Sequence, residues 1–149
     1  MANRALDLSV IIVSWNVKEL LRECLQSIYD SLQDIQFETF VVDNASHDGS
    51  PQMVRAEFPD VNLIVNSENV GFGSANNQAL QICSGQYVLL INPDTVVFGN
   101  AIHRMIDFLE RHPGAGLVGP ELLNGNGRLS INWVRWLPRQ TGEFLIEEL

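Results

Sequence analysis

Gln86-Tyr87-Val88-Leu89-Leu90-Ile91-Asn92-Pro93-Asp94-Thr95 is the stretch that decides the fold. The apolar run from Tyr87 to Ile91, with aromatic and β-branched members, predicts a strand buried on both faces. Pro93 has no N–H to give to a ladder, so the strand must stop before it. The chain thereby delivers the Asp94 carboxyl group to the carboxyl edge of a central strand. That edge is where open α/β sheets bind ligands.

Working outward, the same alternation of short apolar runs and helical patterns fills most of the chain. Residues 8–15 predict a buried first strand. Asn16 and Glu19 then have the spacing of a capping box, opening a helix to about Leu32. Leu21, Cys24, Leu25, Ile28 and Leu32 form its apolar face. Residues 37–42 predict a second strand, followed by a polar loop from Asp43 to Ser50. Ser50-Pro51 reads as a cap with proline in the first helical turn, and that helix stops at Phe58 before Pro59. A third strand is expected over 61–65 and a third helix from Ser74 to about Cys83, ended by Ser84-Gly85. After the decisive strand, Asn100 caps a fourth helix closed by His112-Pro113-Gly114. Leu117-Val118-Gly119-Pro120 predicts a fifth strand, and Asn124-Gly125-Asn126-Gly127 a hairpin turn. An amphipathic helix is expected near the end of the chain. The βα alternation implies α/β architecture with a mainly parallel sheet and helices on both faces.

The composition excludes several classes. The chain has 149 residues and a net charge of −9, from 18 acidic and 9 basic side chains. A nucleic-acid-binding surface needs clustered Lys and Arg, so that class is disfavoured. Lys18 is the sole lysine and no G-x-x-x-x-G-K motif occurs, which excludes a P-loop. Cys24 and Cys83 lie far apart in helical patterns and read as buried reduced thiols, which fits a reducing cytoplasmic setting. Neither a membrane-spanning run nor a signal peptide is expected. Gly71-Phe72-Gly73-Ser74-Ala75-Asn76 approximates a dinucleotide fingerprint, but the third glycine is absent and the motif follows the third strand, where the fingerprint belongs after the first.

In a parallel sheet the strands' carboxyl ends share one edge. Four polar clusters fall there: Ser14-Trp15-Asn16, Asp43-Asn44-Ala45-Ser46, Asn69-Val70-Gly71-Phe72-Gly73 and Asn92-Pro93-Asp94-Thr95. Asp43 is suited to accept hydrogen bonds from a base or ribose. Gly71 and Gly73 leave room for a phosphate at the start of the third helix. Asp94 is a hard oxygen ligand for Mg²⁺ or Mn²⁺ shared with a diphosphate, and Asn92 adds a neutral oxygen.

S-V-I-I-V-S-W-N, V-V-D-N-A-S-x-D-G-S, N-x-G-F-G-x-A-N-N and L-L-I-N-P-D-T together resemble the family 2 glycosyltransferases of GT-A fold, over about residues 8–130. N-P-D-T and L-V-G-P-E-L-L-N-G-N-G-R-L are similar to the bacterial rhamnosyltransferase-like branch. The resemblance implies a three-layer α/β/α fold, truncated at its C-terminal side. It also implies an inverting, metal-assisted hexosyl transfer from a dTDP- or UDP-sugar, with rhamnose the sugar that the branch suggests, to a saccharide or lipid-linked acceptor. By the same resemblance the donor site takes Ser14, Trp15, Asn16, Asp43, Asn69, Gly71, Phe72, Asn76, Asn92 and Asp94. Asn92-Pro93-Asp94 stands at the D-x-D-type metal motif, with Asn92 in the place of its first Asp.

The expected layout is a donor-binding domain over 1–130 and a tail over 131–149 that begins an acceptor half or packs in a dimer. The family's later acidic motif, which supplies the general base, has no match after Thr95. Glu147-Glu148 reads as a solvated helix face, and His47 is the only histidine on the edge loops. Trp133 and Trp136, interleaved with Arg128, Arg135 and Arg139, are expected either to pack on the sheet or to face the acceptor half, a partner subunit or the membrane interface. The alternative reading is a non-catalytic nucleotide-sugar-binding or assembly module of the same fold.

Overall fold

The first strand, β1 (Leu8–Ser14), is buried at every position in the computed structural model, which describes residues 6–120 together with 122, 123, 128, 137, 138, 144 and 145. Its apolar residues supply both faces of a sheet. Val10 and Ile12 join one core, and Ile11 and Val13 the other. The other strands of this sheet are β2 (Phe37–Asp43), β3 (Asn62–Val65) and β4 (Tyr87–Ile91). They form a four-stranded parallel sheet in the order β3-β2-β1-β4.

Helices α1 (Lys18–Ser31), α2 (Ser50–Glu57) and α4 (Ala101–Arg111) bring Leu21, Cys24, Leu25, Ile28, Met53, Val54 and Ile102 to one core. Helix α3 (Phe72–Leu80) covers the other face with Ala75 and Ala79, against Ile11, Val13, Phe40 and Val42. The architecture is the three-layer α/β/α arrangement expected from the alternation.

The chain divides into two compact units, Met1–Asp107 and Phe108–Leu149. The sheet belongs to the first. In the second, His112 closes α4: its Nδ1 donates to the Phe108 carbonyl at 2.8 Å and its ring stacks on Phe108 at 4.1 Å. Two short strands, β5 (Leu137–Pro138) and β6 (Phe144–Leu145), pair antiparallel. The turn at Asn124–Gly127, Trp133, Trp136, Arg135, Arg139 and Glu147-Glu148 lie outside the described residues. No described helix is long and apolar enough to cross a membrane.

Several expectations are corrected. β4 is not buried on both faces. Tyr87, Leu89 and Ile91 pack on the core beside α1, whereas Val88 and Leu90 are 43% and 49% exposed. Nor is it central among the described residues: β1 is its neighbour on one side, and it is the last of the four strands in that order. A five-residue apolar run is the same string of letters in a half-buried edge strand and a fully buried one, so periodicity does not separate them. Leu117–Pro120 is irregular, with Leu117 exposed; Pro120 has no N–H to pair and Gly119 gives the segment nothing to pack. α3 starts two residues earlier than expected and ends at Leu80. Phe144 and Leu145 are in a strand where a terminal helix was expected.

The capping box at α1 is also absent. Val17 is the N-cap and makes no side-chain cap bond, and Glu19 pairs with Arg22, which also grips Glu57 of α2 at 2.7 and 3.0 Å. The first-turn amide of Lys18 is instead capped from another loop, by Asp48 Oδ2 at 2.8 Å.

The opposite, amino edge of the sheet is tied by one carboxyl group. Glu38 Oε1 on β2 accepts from Ser9 Oγ at 2.6 Å, Ser84 N at 2.6 Å and Ser84 Oγ at 3.0 Å. Ser9 Oγ in turn accepts from Gly85 N at 2.8 Å. Burial alone would raise the Glu38 carboxyl, but the hydrogen bonds from Ser9, Ser84 and Gly85 together outweigh it and hold the group below the usual carboxylate range. This tie fixes where β4 enters the sheet, and so where its far end delivers Asn92 and Asp94.

Candidate functional site

The strand ends define the site. Ser14 and Asp43 are register partners, as are Asp43 and Val65, and Ile12 and Ile91. Asn92 therefore emerges beside the carboxyl end of β1, with β1 standing between it and Asp43.

Ser14 and Asp43 are both fully buried. Asp43 Oδ2 accepts from Ser46 N at 2.8 Å, but Asp43 Oδ1 has no partner, and neither has Ser14 Oγ. Native proteins pair nearly all buried polar atoms, so two orphans side by side at one sheet edge call for an explanation.

Around them the loops are stitched together. Asn16, at φ 55°, turns its Oδ1 to accept from His47 N at 2.8 Å, while Asn16 N donates to Ser46 Oγ at 2.9 Å. Ala45 is likewise left-handed, at φ 63°. Such conformations are costly for residues with a Cβ and persist where surrounding bonds enforce them. Asp48 caps both neighbouring helices: Oδ2 takes Lys18 N, and Oδ1 takes Ser50 N at 3.0 Å and Ser50 Oγ at 2.6 Å. Burial raises the Asp48 carboxyl, and the bonds from Ser50 and Lys18 overcome this and hold it below its ordinary value. Removing one cap costs about 1 kcal/mol. Asp48→Ala, which removes two, is expected to lower stability by about 2 kcal/mol in urea unfolding. Asp48→Asn, which keeps an acceptor, should lose less.

The third loop enters α3 through Gly71, at φ 83°, a conformation that favours glycine. Asn69 Oδ1 accepts from Gly71 N at 2.9 Å, and the buried Asn76 donates Nδ2 to the Phe72 carbonyl at 3.0 Å. Asn16, Asn69 and Asn76 thus each spend one amide end on backbone, shaping the loops. Trp15 and Phe72 are 56% and 57% exposed. Gly73 differs from Gly71. A Cβ there would meet nothing within 4 Å and its φ is ordinary, so the fold does not require glycine at that position.

The fourth cluster is a turn. Thr95 N donates to the Asn92 carbonyl at 3.1 Å, with Pro93 inside the turn, and Asn92 and Asp94 are exposed. α1 holds the turn from below. Cys24 Sγ lies 3.6 Å from the Asn92 carbonyl, and Ser27 Oγ accepts from Val97 N at 3.0 Å. Burial, then the Asp94 charge, push the Cys24 thiol up to about 12, so it stays protonated and donates.

Motif reading put Ser14, Asp43 and the Asn92–Asp94 turn at the carboxyl edge, which is where the structure has them. It did not single out Asn66 or Gln78, whose side chains bind each other across the third loop, or Ser27 beneath the turn, and it read Cys24 only as a buried thiol on the apolar face of α1. No sequence signal marks these, because their partners are distant in the chain.

A parallel α/β sheet that carries orphaned polar atoms and the Asp43 and Asp94 carboxyl groups on its carboxyl edge has the arrangement in which open α/β proteins bind ligands. Residues 9–146 match the model of Glycosyl transferase family 2, and the chain belongs to that family. It is 29% identical over 98 residues to an N-acetylglucosaminyl-diphospho-decaprenol L-rhamnosyltransferase of Mycobacterium tuberculosis (strain CDC 1551 / Oshkosh), a match covering 58% of this chain and 32% of that protein. It is 27% identical over 128 residues to a poly(ribitol-phosphate) beta-glucosyltransferase of Bacillus spizizenii, covering 83% of this chain and 20% of that protein. The chain thus spans a third or less of the length of these two relatives. Among solved structures, the mannosyltransferase PcManGT from Pyrobaculum calidifontis, in complex with GDP-Man and Mn²⁺, superposes with a TM-score of 0.64 at 29% identity, over 72% of this chain and 33% of that one. S. aureus TarS 1-349 in complex with UDP-GlcNAc superposes with a TM-score of 0.61 at 26% identity, over 81% of this chain and 41% of that one.

Proposed function

We propose that this sheet edge binds the nucleotide-diphosphate sugar donor of an inverting glycosyltransferase, whose acceptor is a saccharide or a lipid-linked saccharide. The observation that carries the reading is the buried Asp43 carboxyl with Oδ1 unpartnered beside the unpartnered Ser14 Oγ. An unsatisfied buried acceptor costs about 1–3 kcal/mol, and a ligand donor from a base or ribose would recover it. Trp15, exposed next to Ser14, offers a ring face to the base.

Spacing supports the rest. Asp43 and Asn92 stand on strands separated by β1, about 10 Å apart at two interstrand spacings. A nucleoside and its terminal phosphate are separated by a similar reach, so one ligand can touch both. Gly71 and Gly73 leave the first-turn N–H groups of α3 open to a phosphate. The fold does not require glycine at position 73, and close backbone approach by a ligand gives it a reason to be there.

The metal fits on the chemistry of the donor set. Among the described residues there is no group of three or more His, Cys, Asp or Glu able to hold an ion alone. Mg²⁺ and Mn²⁺ bound with nucleotides need only one or two carboxylates, the rest of the shell being phosphate and water. Asp94 supplies the carboxylate and Asn92 a neutral oxygen. When bound there, the cation would neutralise charge on the departing diphosphate. The turn anchored by Cys24 and Ser27 holds Asp94 for this, and Ser14 and Asp43 hold the nucleoside. The GDP-Man and Mn²⁺ of the mannosyltransferase and the UDP-GlcNAc of TarS support the donor class. The rhamnosyltransferase relative makes a rhamnosyl donor the first to try.

Calorimetry with UDP, dTDP and GDP, each with Mn²⁺, with Mg²⁺ and with EDTA, tests the reading. One nucleotide should bind with the metal and about tenfold more weakly with EDTA, and Asp94→Asn should remove the metal's effect. Equal affinity with EDTA would remove Asp94 and the metal from the proposal.

A further inference from the structure

We propose that Gln78 is a positioning residue for nucleotide binding: through Asn66 and Asn44 it fixes the Gly71 turn relative to Asp43. This rests on the donor-binding reading above. The side-chain amides of Asn66 and Gln78 exchange two hydrogen bonds, Asn66 Nδ2 to Gln78 Oε1 and Gln78 Nε2 to Asn66 Oδ1, each 3.0 Å. Asn66 Nδ2 also donates to Asn44 Oδ1 at 3.0 Å, and Asn44 Nδ2 reaches the Gly71 carbonyl at 3.4 Å. The backbone continues the chain of contacts, with Asn66 N on the Asp43 carbonyl at 2.9 Å and Asn44 N on the Ser14 carbonyl at 2.8 Å. Asn44 directly follows β2, Asn66 directly follows β3, and Gln78 is in the second turn of α3.

The packing explains why α3 needs such a device. The buried apolar side chains of this helix are Ala75 and Ala79. Alanine methyls make few contacts and interlock little with a sheet, so packing fixes the helix's distance from the strands better than its position along them. Three neutral amides with matched donors and acceptors set that position. An ångström's slip of α3 would move the Gly71 turn and the N–H groups after it away from a phosphate held by the rest of the site, and hydrogen bonds weaken steeply with such misalignment.

The test uses three variants of the full chain: Gln78→Met, which keeps the length of the side chain and loses both bonds, Asn66→Ala, and the double variant. Affinity for UDP, dTDP and GDP with Mn²⁺ is measured by calorimetry, with urea unfolding alongside. Gln78→Met is expected to weaken binding about tenfold, the worth of one or two hydrogen bonds, while remaining folded. The double variant should lose no more than the weaker-binding single variant, because Gln78 acts through Asn66. In the ligand-free protein, amide exchange at Gly71 and Ala75, whose N–H groups are bonded to Asn69 Oδ1 and the Gly71 carbonyl, should quicken in Gln78→Met, with β1 and β2 unchanged. Affinity within twofold of the unaltered protein, or additive losses, would overturn the inference and leave the donor reading standing. If the unaltered protein binds none of the nucleotides, the donor reading falls, and the proposed role in nucleotide binding falls with it. Exchange at Gly71 and Ala75 then still decides whether Gln78 holds the turn, and unchanged exchange there overturns the inference in every case.

Discussion

Asp43→Asn is expected to weaken nucleotide binding about 100-fold while leaving the free protein as stable as before or more so. The substitution keeps the shape of the side chain. Its amide oxygen can still accept from Ser46 N, as Asp43 Oδ2 does at 2.8 Å. The other end then becomes an NH₂ where Oδ1 now stands, buried and unpartnered. A hydrogen bond accepted by a charged group is worth about 1.5–3 kcal/mol, or roughly 10- to 150-fold in affinity. Here the bond is lost and a donor is turned toward a donor, which places the effect in the upper part of that range. The stability change has the opposite sign, because a carboxyl desolvated without full pairing burdens the free protein. A rise in the urea midpoint together with lost binding identifies a residue kept for function at the expense of stability. Unchanged affinity for UDP, dTDP and GDP would take Asp43 out of the site.

The second large effect concerns a residue at the opposite edge of the sheet from the proposed donor site. Gly85→Ala is expected to destabilise the protein by about 3 kcal/mol or more, a fall in the melting midpoint of roughly 10 °C for a chain of this size. A Cβ at Gly85 would lie 2.4 Å from Ser9 N, 2.5 Å from Leu8 C and 2.7 Å from Ser9 Oγ. Two of those atoms are backbone of β1, buried in the middle of the sheet, and cannot give way as a flexible side chain would. To relieve the clash, β4 must move away from β1. That breaks the Gly85 N bond to Ser9 Oγ at 2.8 Å and loosens the Glu38 tie. Because β4 carries the Asn92–Asp94 turn at its other end, the loss of stability should come with weaker metal-dependent binding. A melting midpoint within about 2 °C of the unaltered protein would show that β4 is not held there.

The Gly85 contact illustrates what local sequence does and does not contain. Ser84-Gly85 reads as a helix stop, and Cys83 is the last residue expected in the helix; in the structure α3 ends at Leu80 and the glycine's role is to let two strands meet. The helix stop is a property of neighbouring residues. The close approach to Ser9 joins positions 76 residues apart. The same division runs through the site. Asp43 and Asp94 were legible because each ends an apolar run in turn residues. The Asp48 cap on α1 was not. The sequence offered Asn16 and Glu19 as a local box, and the fold had a better-placed acceptor 30 residues away. Gln78 carried no mark at all, since a glutamine in a helix is unremarkable until its partner is known.

The order of strands and helices, the run of β1 that is apolar on both faces, and the arrival of polar clusters after each strand are determined by the sequence itself. Periodicity and turn chemistry act over a few residues, and they do not depend on what those residues later touch. Which face of β4 is covered, which atoms of Asp43 and Ser14 are left without partners, and which amides lock α3 above the edge were decided only by tertiary structure. Those are properties of pairs, set by strand register and by the approach of loops distant in sequence, and no local pattern encodes them.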